Sequence, residues 1–269
     1  MRKLYYILFL FTLLCFGCQL KLTTEDESAS ASLLTIERFD RLEYRYLTTG
    51  DFSALQQMNT EYPIETRTLI EDVLKIGDAT SQDINTRFLK FYQDTTLQAM
   101  VTAVEMEYAE MDDLNKQLNK AFERLKHFIP NITIPRVYSQ ISALDQSIVV
   151  GNGTIGISLD KYLGEDYPLY QKIYNAQQRK QMTRENIMPD CLSFYLIGEY
   201  PLENFGSRPQ LERDLHMGKI QWVVNQALAK NVFQSKYVDA VERYMHKNSK
   251  TSYEELLKMR DFSMFNISE

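Results

Sequence analysis

Three histidines are the residues of this chain best suited to bind a transition metal or to transfer protons. A zinc peptidase of the common type places two histidines four residues apart on one helix, with a glutamate between them that acts as general base. His127, His216 and His246 lie too far apart in the sequence to form that motif. The sequence therefore argues against a standard zinc peptidase.

Glu212 and His216 are separated by four residues, a spacing at which two side chains of a helix share one face. They can donate to one ion if a third ligand, such as Glu199, comes from elsewhere in the fold. The alternative is structural, because Ile220 and Val223 continue the face of His216 and fit a half-buried histidine equally well. We predict no metal and no cofactor, and we keep Glu212 and His216 as the candidate metal ligands.

Asp160, Glu165 and Asp166 form an acidic group that invites an acid–base interpretation. Such chemistry needs two carboxylates held in different environments across a cleft, and the sequence gives no sign of a cleft. Asp160 follows a predicted strand, where an aspartate commonly caps a helix or forms a turn. We therefore predict a structural role for this group and no catalytic residue in the chain.

Cys191 is a further candidate nucleophile, but a reactive thiol needs a basic neighbour that lowers its pKa. Met188, Leu192 and Phe194 surround it in the sequence and predict apolar packing instead. The chain also lacks the P-loop and GxSxG motifs, and the glycines at 151–156 are not followed by a predicted phosphate-binding helix, so this segment is interpreted as a turn. No small-molecule substrate is therefore predicted.

The N-terminus carries a targeting signal. Residues 2 and 3 are basic, and residues 4–17 form an apolar run that is shorter than the roughly 20 residues needed to span a bilayer. The run ends at Cys18 in a pattern that resembles the cleavage box of a bacterial lipoprotein, although Cys15 stands where leucine is usual. We predict a signal peptide over residues 1–17 and acylation of Cys18 with palmitate, which anchors the chain to membrane lipid. Ordinary cleavage nearby and an uncleaved anchor are the alternatives.

The remaining chain is predicted to consist of a tether and one domain. Residues 18–34 are polar, acidic and rich in serine and threonine, which predicts a flexible tether. Residues 35–269 show no internal repeat and no linker, so a single domain is the simplest interpretation. Since Cys15 leaves with the leader and Cys18 carries lipid, Cys191 has no partner for an internal disulfide. The formal charge of −6, without a long basic run, argues against nucleic acid as a partner.

Apolar residues recur at helical spacing over most of this domain. The predicted helices cover residues 64–76, 83–92, 97–108, 112–128, 168–181, 184–199, 209–229, 234–247 and 252–260. Two short apolar runs flank Asn152-Gly153, which predicts a β-hairpin over residues 147–151 and 154–159. The predicted fold class is α+β, a mostly helical single domain around a small mixed or antiparallel sheet.

Four tyrosines follow the hairpin within a short stretch: Tyr162, Tyr167, Tyr170 and Tyr174. A surface rich in tyrosine binds protein or glycan, because each ring offers apolar area and one polar group. The alternative is that half of these rings belong to the core. Both interpretations are open at the level of sequence.

The segment 157–168, with the sequence ISLDKYLGEDYP, resembles the central signature of the gliding motility lipoprotein family GldB of Bacteroidetes. Three further segments agree in order: IERFDRL at 36–42, MPD at 188–190 and HMGKIQWVV at 216–224. The matching positions, to which no role is assigned, are Asp160, Tyr162, Gly164, Tyr167, Pro168, Gly218 and Lys219. The resemblance extends over nearly the whole chain that follows the leader.

The resemblance implies an envelope lipoprotein without established enzymatic activity, associated with gliding and, through it, with the type IX secretion apparatus. It also implies an architecture similar to a degenerate zincin-like fold. The implied partners are membrane lipid and envelope proteins, including other gliding or secretion components. The implied location is the outer membrane, with either the periplasmic or the surface face.

Three hypotheses of function follow. The one that we favour is a lipid-anchored accessory protein that acts through protein partners and has no catalytic activity. The second is a divergent hydrolase or peptidase of zincin-like fold, which predicts bound metal. The third is a module that binds glycan or peptidoglycan, which the tyrosines and the extracytoplasmic location favour.

Overall fold

A small mixed sheet organises residues 34–267, which the computed structural model describes. Its strands are β1 (Ile36–Glu37), β2 (Arg136–Gln140), β3 (Ile148–Gly151) and β4 (Thr154–Ser158). The strand order is β1-β2-β4-β3; β2 pairs in parallel with β1 and β4, and β3 pairs antiparallel with β4. The predicted α+β class is confirmed. The predicted signal peptide and all but the last residue of the predicted tether lie outside the described residues.

The predicted hairpin is confirmed as β3 and β4. Asn152 and Gly153 connect the two strands with φ angles of 51° and 73°. A tight hairpin turn needs positive φ at both central residues, and asparagine and glycine adopt that conformation at the lowest cost. The turn sets the register, in which Gly151 lies opposite Thr154 and Ile148 opposite Ile157.

Twelve α-helices pack around the sheet within residues 34–267. Those before the hairpin are α1 (Phe39–Thr49), α2 (Phe52–Glu61), α3 (Pro63–Thr68), α4 (Ile84–Phe91), α5 (Thr95–Glu107) and α6 (Asp112–Phe128). Those after it are α7 (Pro168–Ile173), α8 (Ala176–Arg179), α9 (Ile187–Glu199), α10 (Gln210–Leu228), α11 (Lys236–Lys247) and α12 (Tyr253–Lys258). The prediction of a mostly helical domain is confirmed.

The single helix predicted over residues 168–181 is wrong, because the structure divides it into α7 and α8. Tyr174 leaves α7 in an extended conformation, with φ −116° and ψ 146°. Asn175 then caps α8 by accepting the backbone N–H of Gln178, and the Gln178 side chain accepts the N–H of Asn175 in return. This capping box favours a new helix start over continuation of the first helix.

The helix predicted over residues 64–76 also differs in its second half. α3 continues as a π-helical turn over Leu69–Val73, and Lys75 adopts a left-handed conformation with φ 54°. The N–H of Ile76 donates to the carbonyl of Ile70 at 3.1 Å, which closes the C-terminus before Gly77. The predicted stop at Gly77 is therefore late, because Lys75 takes the left-handed position that usually falls to glycine.

Helices α1 and α2 were not predicted by the sequence pattern. The buried face of α1 combines Phe39 and Tyr46 with two carboxylic acids, Asp40 and Glu43. Phe39, Leu42 and Tyr46 nevertheless recur at three- and four-residue steps, so the period of an amphipathic helix is present in the sequence beside these acids.

One continuous apolar core joins the sheet and the helices. Helix α9 packs on β3 and β4, α1 packs on β2, and α10 contacts α6, α9 and α11. Among residues 34–267, no helix combines the length and the apolar character required to cross a bilayer.

Candidate functional site

The signature residue Asp160 fixes the loop that follows β2. Because β2 and β4 are parallel neighbours, the segments that follow them meet at the same edge of the sheet. The Asp160 carboxylate accepts the backbone N–H groups of Ser142 at 2.8 Å and of Leu144 at 2.6 Å. Ala143 and Leu144 have φ angles of 51° and 67°, a conformation that is costly for residues other than glycine. Asp160 therefore stabilises a strained loop.

Asp160 shares its buried environment with two further acids, Asp40 and Glu43. Glu43 is fully buried, and one of its carboxylate oxygens accepts the N–H of Ile141 at 2.8 Å. Its other oxygen has no hydrogen-bond partner within residues 34–267. Burial, with the charges of Asp40 and Asp160, raises the pKa of Glu43 well above its ordinary value. Burial also raises the pKa of Asp160, against the effect of the N–H groups that it accepts.

Tyrosine hydroxyls extend this arrangement into a buried network. The hydroxyl of Tyr108 donates to the carbonyl of Tyr162 at 2.6 Å, and the hydroxyl of Tyr162 donates to Asp190 at 2.8 Å. The hydroxyl of Tyr170 donates to the carbonyl of Asp160. Burial raises the pKa of Asp190 to about 6, although the bond from Tyr162 opposes the increase.

Two of the four tyrosines that follow the hairpin belong to the core. Tyr162 and Tyr170 are 2% and 0% exposed, whereas Tyr167 and Tyr174 are half-buried. The hydroxyls of the buried pair are held by Asp190 and by the main chain, as buried tyrosines require. The other interpretation, in which half of the rings belong to the core, agrees with the structure.

The later residues of the 157–168 signature segment form one turn. Gly164 has φ 104°, and its N–H donates to the carbonyl of Met182 at 3.0 Å. The N–H of Tyr167 donates back to the carbonyl of Gly164 at 3.1 Å, and Pro168 opens α7. Proline suits a first helical position because no intrahelical partner exists there for an N–H. These signature residues thus set the chain direction between β4 and α7.

The two signature residues of α10 lie apart from this network. Gly218 contacts Tyr237 at the start of α11, where an added Cβ would lie 2.9 Å from the Cβ of Tyr237. Lys219 is fully buried, and its Nζ donates to the carbonyl of Met259 at 2.7 Å and lies 4.8 Å from the ring centre of Phe262. Lys219 therefore fastens the segment that follows α12 to the core.

The candidate metal ligands Glu212 and His216 lie in different environments, since Glu212 is ion-paired and the ring nitrogens of His216 have no hydrogen-bond partner within residues 34–267. Glu212 forms an ion pair with Arg208 at 3.0 Å. His216 is 1% exposed, and burial, with the charges of Lys219 and Arg260, lowers its pKa to about 4. Cations beside the imidazole disfavour a bound metal ion. No group of three or more His, Cys, Asp or Glu suited to a metal ion occurs among residues 34–267.

Cys191 is buried in α9, directly after Asp190 of the buried network. Burial, followed by the charge of Asp190, raises the pKa of its thiol to about 12. A thiol of this kind is protonated at neutral pH and is a poor nucleophile. This environment matches the apolar packing that its sequence neighbours predict.

An open groove lies beside the network, between α6, the start of α9 and the end of α10. It encloses about 520 Å³ and includes Arg184 and Asp113 in its wall. Arg184 binds the Asp113 carboxylate through two nitrogens, at 3.0 Å and 2.7 Å. The same guanidinium lies 4.9 Å from the ring centre of Tyr108, which belongs to the signature network. The network therefore supports one wall of the groove.

Four basic side chains line this groove: Lys120, Arg124, Arg184 and Lys230. The acidic residues in the lining are Asp113 and Glu185. This local excess of positive charge contrasts with the whole chain, whose formal charge is −6. The groove is thus suited to bind a negatively charged group.

The network and the groove both lie in the part of the chain that matches a known family. A family model described as gliding motility protein GldB matches residues 21–236, well over half of the chain. This chain belongs to the GldB family. No curated protein and no solved structure matches the chain significantly. The zincin-like architecture of the GldB family therefore stays a prediction.

Several residues of this GldB-family site were missed at the level of sequence, among them Glu43, Asp190 and Arg184. Glu43 and Asp190 lie within segments that resemble the family or directly follow them, at 36–42 and 188–190, and that position was the available signal. The groove cations carried no signal, since Lys120 and Lys230 belong to segments that are distant in sequence and meet only in the folded GldB-family domain.

Proposed function

We propose that this chain is a lipid-anchored accessory protein of the cell envelope, which acts through protein partners and performs no catalysis. Acylated Cys18 holds it at the outer membrane, and the folded domain contacts other gliding or secretion components. The family match over residues 21–236 supports the connection with gliding motility.

This proposal rests on the structural role of Asp160, the buried carboxylate of the signature segment. Asp160 is 0% exposed, and both of its oxygens accept backbone N–H groups of the adjacent loop. A general acid or base must reach a substrate, and a carboxylate enclosed in this way cannot. The signature segment is therefore best explained by the shape that it gives to the domain.

Lipid attachment is tested by the incorporation of radiolabelled palmitate into the full-length chain. We expect wild type to carry the label and Cys18→Ala to lose it. Cys191→Ala is the matched control, since it removes a buried thiol and leaves Cys18 in place. Equal labelling of Cys18→Ala and wild type would contradict acylation at this residue.

The partner-based function is tested by cross-linking in intact cells, gentle solubilisation and purification of the full-length chain. We expect specific envelope proteins in the wild-type sample and their loss from Cys18→Ala. Repeated recovery of no partner would overturn the proposal.

Metal analysis of the same purified chain examines the competing hydrolase hypothesis. Glu212→Ala and His216→Ala are the informative variants, because these residues are the candidate ligands. Stoichiometric zinc in wild type that is lost in both variants would favour a metal-dependent hydrolase over an accessory protein.

A further inference from the structure

We infer that the groove between α6, α9 and α10 binds an acidic peptide segment of an envelope partner. This inference rests on the proposed function, because it specifies how a partner would be held. It assigns the recognition to three cations, Lys120, Arg124 and Lys230, which border one concave surface.

The two acidic residues in the groove are already engaged. Asp113 is bound by Arg184 through two nitrogens. Hydrogen bonds from its own backbone N–H and from the Thr183 hydroxyl, with the charges of Lys230 and Arg184, hold the pKa of Glu185 below its ordinary value. Glu185 is thus an anion near Lys230, but it forms no ion pair with Lys230 or with any other residue from 34 to 267. Asp113 is fully engaged by Arg184, so the groove keeps an excess of positive charge.

Arg184 forms the fixed wall of the groove and does not compete for a ligand. Besides Asp113, it donates to the carbonyls of Glu107 at 3.2 Å and Glu110 at 2.8 Å. Its guanidinium also lies over the ring of Tyr108. A side chain with this many partners is held in one conformation, so the groove keeps its shape before a ligand arrives.

The three other cations keep donors that can meet a ligand. Arg124 donates one N–H to the carbonyl of Ala227 at 2.9 Å, which leaves most of its five donors. Lys120 and Lys230 form no ion pair with any residue from 34 to 267. Lys120 and Arg124 are one helical turn apart on α6, and Lys230 faces them from the end of α10.

The shape of the groove favours a peptide over a membrane surface. A lipid bilayer is locally flat, and its headgroups cannot follow a concavity that lies between three helices. A cavity of about 520 Å³ has the size of a typical ligand site, and it accommodates a few residues of extended chain. Cations spaced along two walls fit carboxylates spaced along a peptide better than one compact phosphate.

The test is fluorescence anisotropy with the purified full-length lipoprotein in detergent. The probe is a fluorescein-labelled pentapeptide of alternating glutamate and aspartate, and the comparison peptide alternates glutamine and asparagine. We expect saturable binding of the acidic peptide only, with an affinity that falls as salt is added, because the contacts are ionic.

The decisive variant is Lys120→Glu/Lys230→Glu, and its matched control is Lys116→Glu/Lys126→Glu. The control makes the same charge change at two exposed positions of α6 that lie outside the groove lining. We expect the groove variant to weaken peptide binding at least about tenfold and the control to retain it. Lys120→Gln/Lys230→Gln, which adds no repulsion, should give an intermediate loss.

Three results would overturn the inference: no saturable binding of the acidic peptide, equal loss in both charge-reversal variants, or binding of phosphatidylglycerol vesicles or inorganic phosphate in place of the peptide. The proposed function fails separately, when wild type recovers no envelope partner after cross-linking. If wild type and Lys120→Glu/Lys230→Glu recover the same partners equally, the function stands and the groove is excluded as the docking site.

Discussion

The carboxylate of Asp160 lies 2.6 Å from the backbone nitrogen of Leu144, a residue with φ 67°. This contact joins the segment that follows β4 to the loop that follows β2. Ala143 and Leu144 are in a costly left-handed conformation. Hydrogen bonds from the loop to the Asp160 carboxylate offset this cost, because bonds to an anion are stronger than bonds to a neutral acceptor. A signature residue that resembles a catalytic acid in the sequence is therefore a structural clamp in the fold.

Replacement of this clamp should destabilise the domain. In Asp160→Asn, one carboxylate oxygen becomes an NH₂ group that faces a backbone N–H, because Ser142 and Leu144 use one oxygen each. We expect a loss of about 1–3 kcal/mol in the free energy of unfolding. The measurement is urea unfolding of the full-length chain, followed by the fluorescence of Trp222, its single tryptophan.

Glu165→Gln is the control for Asp160→Asn, since Glu165 is an exposed acid of the same signature segment. A surface change of this kind should alter the free energy of unfolding by less than about 0.5 kcal/mol. Equal stability of Asp160→Asn and wild type would contradict the clamp.

Glu43 should make the domain less stable as the pH rises. Burial raises its pKa above the ordinary value of 4.5, so the folded chain binds this proton more tightly than the unfolded chain does. Its contribution to stability is therefore complete below pH 4.5 and is lost as the pH rises toward the folded-state pKa. The loss for one proton has a slope of at most about 1.4 kcal/mol per pH unit.

Glu43→Gln imitates the protonated acid and isolates this effect. Its carbonyl oxygen can accept the N–H of Ile141, and its NH₂ group replaces the oxygen that has no partner within residues 34–267. We expect the stability advantage of wild type over Glu43→Gln to shrink between pH 4.5 and pH 8. Parallel stability curves for the two proteins, measured by urea unfolding, would refute the prediction.

The sequence predicts those elements whose local pattern agrees with their burial. The hairpin at Asn152-Gly153 and the amphipathic helix α6 follow from turn chemistry and periodicity alone. In helix α1 the local pattern and the burial disagree, because the acids Asp40 and Glu43 lie on its buried face. Two partners of these buried acids, Ser139 and Ile141, are distant in sequence, and a local pattern cannot reveal them.

The candidate site, too, is predicted only in part by the sequence. Asp160 is recognisable as a turn-forming residue, because it follows a strand. Its bond to Leu144 depends on the parallel pairing of β2 and β4, which the hairpin signal does not contain. The groove is even harder to predict from the sequence, since Lys120 and Lys230 meet only through the packing of α6 beside the end of α10.

Lys219 should give a pH dependence of the opposite sign to that of Glu43. Burial, with the nearby charge of Arg260, lowers its pKa from 10.5 to about 7, so the unfolded chain binds this proton more tightly. The penalty for burying the charged amine is complete below pH 7 and is relieved as the pH rises toward 10.5. Wild type should therefore gain stability relative to Lys219→Met between pH 7 and pH 10.

The Lys219→Met substitution removes the charge and keeps most of the apolar stem of the side chain. The variant also loses the bond to the carbonyl of Met259, so it should be less stable than wild type at high pH. Lys258→Met, at an exposed lysine of α12, is the matched control and should show no change in pH dependence. A difference between wild type and Lys219→Met that stays constant with pH would exclude a lowered pKa.

Gly218 should tolerate no larger residue, because α10 and α11 approach each other at this position. A Cβ built on Gly218 lies 2.9 Å from the Cβ of Tyr237 and 3.0 Å from its carbonyl carbon. Alanine is the better helix former by about 1 kcal/mol, so propensity alone predicts a gain in stability. The steric overlap involves main-chain atoms, which cannot rotate away. We expect it to outweigh the gain in helix propensity, so that Gly218→Ala loses about 1–3 kcal/mol in the free energy of unfolding.

Gly206→Ala separates the steric effect at Gly218 from the effect of the substitution itself. An added Cβ at Gly206 meets no atom within 4 Å, so its stability should change by less than about 0.5 kcal/mol. Both variants are compared with wild type by urea unfolding of the full-length chain. A Gly218→Ala protein as stable as Gly206→Ala would mean that α11 can move away from α10 at no cost, contrary to a fixed contact between the two helices.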